Sequence, residues 1–443
     1  MSCSIRSGGE VWCWGSNISG GLGVGAADGP QTCSDNEGDK GGCSSTPVHV
    51  SGVTDAVEVA SGRPGSCAVV RSGRVYCWGY NGDGQLGTGD ASGPSMCNGH
   101  GCSPSPVQVR GIDSATGVAV GLESSCAVVR GGRVYCWGAN AQADLGLGTT
   151  KGPNSCSFGL ACSTSPLRVA DLSDATDVSV GDGYACALRT GGTVSCWGAN
   201  SSNTIGTGQM SGPDSCALAG SELPCALRPN QVQAVSTAVA ISAGTGTACA
   251  VLGNGHVRCW GTNAGGALGS GTSVGPRTCK APTGITFACS PSPVEVRDLD
   301  NAVDVSVGGG YACALTAKKT VKCWGHNYAG TLGIGTNSGP ETCNLGESIT
   351  ACATAPQPVT TLSDVNAVAT GFSHACASRG SGEILCWGTN AFGELGIGGT
   401  GGAEQCHVNI YINDTDGCST TPVKVVVGSQ TGDGSQSEPS DPQ

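Results

Sequence analysis

Twenty-eight cysteines are the residues of this 443-residue chain with the most chemistry to offer, and their spacing decides which chemistry it is. The triplet Cys-Trp-Gly recurs seven times, with its cysteine at Cys13, Cys77, Cys136, Cys196, Cys259, Cys323 and Cys386, separated by 64, 59, 60, 63, 64 and 63 residues. One cysteine lies ten residues before each (Cys3, Cys67, Cys126, Cys186, Cys249, Cys313, Cys376) and one twenty after (Cys33, Cys97, Cys156, Cys216, Cys279, Cys343, Cys406). A fourth follows 5 to 12 residues later (Cys43, Cys102, Cys162, Cys225, Cys289, Cys352, Cys418), so seven groups of four use every cysteine. A catalytic or redox thiol would have to be left over from this count, and none is. Structural zinc wants four ligands at short, stereotyped C-x(2–4)-C spacings, which the variable last gap does not provide. Disulfides tolerate that variation, so all twenty-eight are read as bonded within their own group, in a compartment that keeps sulfur oxidised.

Other chemistry is thin. The six histidines, His49, His100, His256, His326, His374 and His407, fall at unrelated repeat positions with no recurring acidic partner. There is no HExxH, no GxxxxGK[ST] phosphate loop and no G-x-S-x-G elbow leading into a helix. No catalytic residue, metal ligand or cofactor site is assigned. Asp35, Glu37 and Asp39 alternate between Cys33 and Cys43 somewhat as calcium ligands do, but without the glycine and distal glutamate of a calcium loop, so that segment and Cys406 to Cys418 read as solvated, stapled loops. Asn17, Asn200 and Asn413 begin Asn-x-Ser/Thr triplets of the kind turn composition produces by itself.

The elements that hold these residues follow from the segment CAVVRSGRVYC, Cys67 to Cys77, which is apolar and β-branched on both sides of a polar turn. That is a hairpin pattern, and with Ser72 as pivot the two cysteines face each other across it. Gly9, Gly73, Gly132, Gly192, Gly255 and Gly382 mark the tip as a position of positive φ, with Lys319 the one departure. Because side chains alternate along a strand, Trp14, Trp78, Trp137, Trp197, Trp260, Trp324 and Trp387 point away from the adjacent cysteine and form one equivalent layer, suited to packing repeat against repeat. Trp12 stands outside that pattern. An alternating strand followed by glycine precedes every hairpin but the first, and N-x-x-G-x-L-G follows each hairpin, with Ala143 and Asn203 replacing the first of those glycines in two repeats. Alanine enters left-handed backbone geometry poorly, so the third repeat is expected to turn differently.

Each repeat thus offers about four short strands and no amphipathic helix, and small sheets of that kind bury both faces only by stacking around an axis. The expected fold is all-β, a seven-bladed propeller over residues 1–427 with repeats of about 61 residues at approximately 1–54, 55–115, 116–174, 175–237, 238–300, 301–364 and 365–427. Residues 428–443, GSQTGDGSQSEPSDPQ, read as a polar tail or linker stub. The first repeat opens at Cys3 and lacks the strand before its hairpin. Either Val425 to Val427 lean into that gap or the strand comes from upstream of Met1, with any signal peptide; the second is the expectation.

Composition narrows the partners. Glycine numbers 76, aromatic residues make up 4% and charged residues 12%, and the net charge is −12. No run of Lys or Arg exists to displace counterions from phosphates, so nucleic acid is not an expected partner. No stretch approaches the roughly 18 apolar residues of a membrane span.

The pattern G-x-x-x-x-C-A-L…G-x-V-x-C-W-G-x-N-x-x-G-x-L-G, as from Gly181 to Gly206, resembles the repeat of the regulator of chromosome condensation family, which implies a seven-bladed propeller. Its cysteine-rich form is similar to bacterial secreted and cell-surface repeat proteins. The resemblance implies several activities, among them nucleotide exchange on a small GTPase, service as a ligase accessory domain, and inhibition of secreted enzymes. A chromatin-bound exchange factor would carry a basic N-terminal tail, and MSCSIRSGGE is not one. The reading is therefore a monomeric, non-enzymatic, secreted or surface-displayed scaffold whose stapled loops meet a protein or an extracellular glycan. The alternative is a GTPase exchange regulator.

Overall fold

Each repeat is organised by the hairpin between its first two cysteines. In the second repeat β5 (Ala56–Ser61), β6 (Gly65–Val70), β7 (Val75–Tyr80), β8 (Ser95–Cys97) and β9 (His100–Gln108) form one antiparallel sheet in the order β5-β6-β7-β9-β8. Cys67 lies opposite Cys77 in that register. The computed structural model describes residues 1–34, 40–63, 65–218, 221–280, 284–344, 349–409 and 414–426. Asp35, Glu37, Asp39, Asn413, Val427 and the stretch 428–443 lie outside the described residues.

Seven such sheets form a ring, the propeller expected from the sequence. The first strands of repeats two to seven (β5, Ala115–Val120, Ala175–Val180, Ala238–Ala243, Ala302–Val307 and Val365–Thr370) touch one another in succession and therefore line the axis. Their exposed edges are satisfied from the blade before: Ser179 Oγ accepts the Ala243 N–H at 2.9 Å, Ser242 Oγ that of Val307 at 3.0 Å, and Ser306 Oγ that of Thr370 at 3.0 Å.

The blades hold five strands, one more than the sequence suggested. The fifth is the short strand that carries the third cysteine, or in the third blade ends just before it, and pairs with the last long strand; the segment between the third and fourth cysteines is a rim hairpin and not a plain loop. Those strands of two to six residues are polar and lack clean alternation, so no period reveals them. The first sheet has four strands, β1 (Ser2–Ile5), β2 (Val11–Ser16), β3 (Gln31–Ser34) and β4 (Lys40–His49), and lacks the axial one, as its sequence indicates.

Tryptophan supplies the contact between blades. Each of the seven indoles is at most 1% exposed and packs on the cysteine-bearing face of the preceding blade: Trp137 on Cys67 and Cys77, Trp324 on Cys249 and Cys259. Each Nε1–H donates to the backbone carbonyl of the residue before the leucine or isoleucine of the preceding N-x-x-G-x-L-G turn, namely Gly21, Gln85, Asp144, Thr204, Ala267, Thr331 and, for Trp14, Glu394. The final glycine of that turn is there for the indole, since a Cβ on Gly146 or Gly269 would come within 2.8 Å of the next tryptophan ring. Trp14 makes the contact to Glu394, 380 residues away, and so closes the ring between the seventh and first blades.

At that seam Ser2 Oγ lies 2.8 Å from His374 Nε2, and the Arg63 guanidinium sits 5.5 Å from the Phe372 ring centre. Val425 and Val426 do not lean into the gap. Val425 N–H bonds Ile384 O at 2.9 Å, the same bond that Val50 makes to Val11, so it ends an ordinary last strand.

The tip glycines have φ between +74° and +86°, and Lys319 takes the same region at +57°. The expectation for the third repeat fails. Ala143 adopts φ +67° and keeps the turn of its neighbours, with Ala143 N–H to Asn140 O at 3.1 Å and Gly146 N–H to Ala143 O at 3.0 Å. Its fully buried methyl packs on the Cys216–Cys225 pair of the next blade, a contact that offsets the backbone strain.

Candidate binding surface

Fourteen disulfides join the cysteines within their blades. The hairpin bonds, such as Cys67–Cys77 and Cys313–Cys323, have Cα separations of 4.0 and 4.1 Å, and the rim bonds, such as Cys97–Cys102 and Cys343–Cys352, 5.8 and 5.9 Å. No cysteine is free. Closing a loop of this size restricts the unfolded chain by roughly 2–3 kcal/mol in the chain-entropy model, which supports a core short of aromatic area.

The rim hairpins do not stand alone. Three rim disulfides lean on the N-x-x-G-x-L-G turn of the blade before: Cys216–Cys225 on Ala143, Cys279–Cys289 beside the Asn203 amide, and Cys406–Cys418 on Ala329. Ser157 Oγ donates to Gly82 O at 2.9 Å and Asn98 Nδ2 to Ile18 O at 3.1 Å, so hairpin and preceding turn are also hydrogen-bonded. In each blade the first asparagine of the turn is buried and accepts the N–H five residues on, as Asn81 does from Leu86 at 3.0 Å. That use removes Asn17 and Asn200 as glycan acceptors in the folded chain, since they are 0% and 1% exposed.

Among the described residues this rim carries the most exposed apolar side chains. Phe158 is 93% exposed, Val274 73%, Ile349 71% and Met96 67%; Phe158, Val274 and Met96 lie between the third long strand of a blade and its last, and Ile349 begins the last strand of the sixth blade. Ile18, Met96, Thr32, Lys40 and Asn98 line a cleft between the first two rim hairpins. Exposed apolar groups on a rigid frame are what a protein interface uses. The tryptophans offer no platform for a sugar ring. Trp12, the exception in sequence, is covered too: it is 7% exposed, with the Arg6 guanidinium 3.9 Å over its ring and His49 5.3 Å away.

The axis is acidic. Glu58, Asp177 and Asp304 occupy one position of three axial strands, and Glu58 Oε1 accepts the Val118 N–H of the next blade at 3.1 Å. Burial holds all three carboxyls above their usual range, with Asp177 adding to the rise at Glu58 and Asp304 to that at Asp177. At one end of the axis burial also raises the carboxyls of Glu123, Asp144 and Asp182, and the charges of Glu123 and Asp182 add to the rise at Asp144.

Among the described residues the histidines do not converge. His256 Nδ1 pairs with Glu295 at 2.9 Å, while His326 and His374 are buried and pushed down to about 4 and about 3 by desolvation. Glu404 lies beside Cys406 and Cys418, whose sulfurs are bonded to each other and so are not thiolate ligands; Glu404 accepts from Thr420 at 2.8 Å. Gly271 to Gly275 has the G-x-S-x-G spelling but runs through a rim loop with no helix after it, so Ser273 sits on no nucleophile elbow. No helix of the described residues is long and apolar enough to cross a membrane.

Comparison with known proteins finds matches to part of the chain. Two models of the regulator of chromosome condensation (RCC1) repeat match, one at residues 72–128 and 131–188, the other at 56–85, 115–142, 175–203, 302–331 and 365–394. The human probable E3 ubiquitin-protein ligase HERC6 is 28% identical over 63% of this chain and 24% of its own, and the Arabidopsis thaliana ultraviolet-B receptor UVR8 is 27% identical over 63% of this chain and 54% of its own. The chain therefore spans about a quarter of one relative and half of the other. Yeast RCC1 (Prp20), solved bound to Kap60, superposes with a TM-score of 0.68 at 18% identity, covering 95% of this chain and 84% of that one. Human WBSCR16 gives 0.67 at 18%, covering 94% of each. At these identities the structures speak to the fold alone.

Proposed function

We propose that this chain, a propeller of regulator of chromosome condensation repeats, is a non-enzymatic binding scaffold, secreted or displayed at a cell surface as in the bacterial proteins its cysteine-rich pattern resembles. It presents its rim hairpins to a protein partner. The observation that carries this reading is the rim itself, where exposed apolar side chains sit on hairpins each stapled by a disulfide and braced on the blade before. Bracing removes the ordering cost that a flexible loop would bear on binding. A protein partner is favoured over a glycan because the indoles are spent between blades. The relatives support binding or regulation in general; a solved structure of Prp20p is described with its binding to Gsp1p and histones. A cytosolic exchange regulator is disfavoured by the fourteen bonds, which a reducing compartment would not sustain.

The test is affinity capture from extracellular extracts with the oxidised protein and with a form whose rim hairpins are rewritten in Gly and Ser between retained cysteines. The expected result is that partners captured by the first are lost with the second. Equal capture by both would remove the rim from the account.

A further inference from the structure

The hairpin tips of the second and third blades hold arginines that the fold leaves without an acid. Arginine flanks the turn on both sides, as Arg71-Ser72-Gly73-Arg74 and Arg130-Gly131-Gly132-Arg133, a pair that the other five tips do not repeat. All four side chains are exposed. Each turn is braced, by Gly73 N–H to Val70 O at 2.7 Å and Gly132 N–H to Val129 O at 3.0 Å, with a hairpin disulfide beneath it. The two tips are also joined to each other. Ala115 N–H bonds Gly73 O at 2.8 Å and Arg130 N–H bonds Ser114 O at 2.9 Å, so the connection between the blades sets one arginine pair beside the other. They stand at the opposite end of the blade from the rim: β7 leaves the tip at Val75 and ends at Tyr80, which faces Cys102 of the rim hairpin.

At other tips the frame supplies an acid of its own. The residue before each axial strand is Asp55, Ser114, Asp174, Thr237, Asn301 or Asp364. Asp174 pairs with Arg189 of the fourth tip at 2.8 Å and Asp364 with Lys319 of the sixth at 3.0 Å, while Glu383 of the seventh holds Arg379 and Lys424. Between the two arginine tips that residue is the neutral Ser114. Asp55 and Asp113 lie on the connections that border the tips, yet among the described residues no carboxylate forms an ion pair with Arg71, Arg74, Arg130 or Arg133. Arg74 has only the Ser72 hydroxyl, 3.2 Å from its Nε, and the Tyr76 ring.

We propose that the tips of the second and third blades are a docking surface for an acidic segment of a protein partner, whose carboxylates stand where Ser114 supplies none. A guanidinium donates two parallel hydrogen bonds to a carboxylate, and braced turns spare part of the ordering cost of binding. A short segment is favoured over an extended polyanion because the chain carries a net charge of −12, so a polymer running past the tips meets repulsion. This surface adds to the rim and does not depend on it.

Fluorescence anisotropy of a fluorescein-labelled oligoglutamate, titrated with the full oxidised chain, tests the proposal. Binding should saturate, weaken with added salt as exposed charges are screened, and be absent for the matching oligoglutamine. The combined variant Arg71→Gln, Arg74→Gln, Arg130→Gln and Arg133→Gln should lose affinity by about tenfold or more. Ser114→Asp, which restores the acid of the frame, should weaken binding severalfold with every arginine in place. Lys319→Gln, at a tip whose cation is already paired, should leave it unchanged. Far-ultraviolet circular dichroism of each variant checks the fold. Unchanged affinity in the arginine variant or in Ser114→Asp, an equal loss in Lys319→Gln, or binding to phosphatidylserine vesicles without binding to the peptide would overturn the proposal.

Discussion

Trp324→Ala lowers the free energy of unfolding by about 3–5 kcal/mol, the usual cost of emptying a buried aromatic site. The indole is fully buried, fills the space between Cys249, Cys259, Leu268 and Val296 of the fifth blade, and donates to Ala267 O at 3.0 Å. Neighbouring groups cannot collapse into the void, because Gly269 has no side chain and sits at φ +65° directly against the ring. Trp324→Phe keeps much of the volume and loses the donor, leaving a buried carbonyl unpaired at about 1–3 kcal/mol. Denaturant titration of the oxidised protein orders the three as wild type, Phe, Ala. An Ala variant within 1 kcal/mol of wild type would mean that the blades are held together by something other than the indole layer.

Asp144→Asn has the opposite sign and depends on pH. Burial first, then the Glu123 charge, pushes the Asp144 carboxyl up to about 7, whereas in the unfolded chain it titrates near the usual value of about 4. Below pH 4 both states hold the proton. Between pH 4 and 7 the folded state holds a proton that the unfolded state has released, so stability falls as pH rises, and above 7 the loss is complete. The charges that act on it are those of Glu123 and Asp182; Asp83 acts in turn on Glu123 and Arg63 on Asp182. Asparagine keeps the shape and carries no charge. Its advantage over wild type should be near zero at pH 4 and grow to on the order of 3–4 kcal/mol at pH 8. An advantage independent of pH would show that Asp144 is ionised in the folded chain throughout.

The covalent rhythm made the architecture legible. Cysteines ten apart across a polar, glycine-tipped turn gave the hairpin, and seven copies gave the ring; even the missing axial strand of the first blade is visible in a chain that opens at Cys3. The tip position was legible because only a few residue types accept its backbone, and Lys319 shows that the position, not the residue, is what the fold requires. The fifth strand escaped because strands such as Ser95–Cys97 are too short and polar to carry a period. The turn at Ala143 was misread from propensity, since nothing local announces that its methyl will meet a disulfide 73 residues away. The acidic end of the axis was illegible for the same reason: Glu123, Asp144 and Asp182 sit at three different repeat positions in two blades. The clue was the residue before the turn leucine or isoleucine, which is Gly, Gln, Thr or Ala in five blades and acidic only at Asp144 and Glu394.

The account stands on sulfur being paired inside each blade, and peptide mapping of the natively produced protein, alkylated before any reductant is added, tests that most directly. The predicted map has no alkylated cysteine and fourteen links, each within one blade, from Cys3–Cys13 and Cys33–Cys43 through Cys376–Cys386 and Cys406–Cys418. Thiols that alkylate in the folded protein, or links that join different blades, would contradict it.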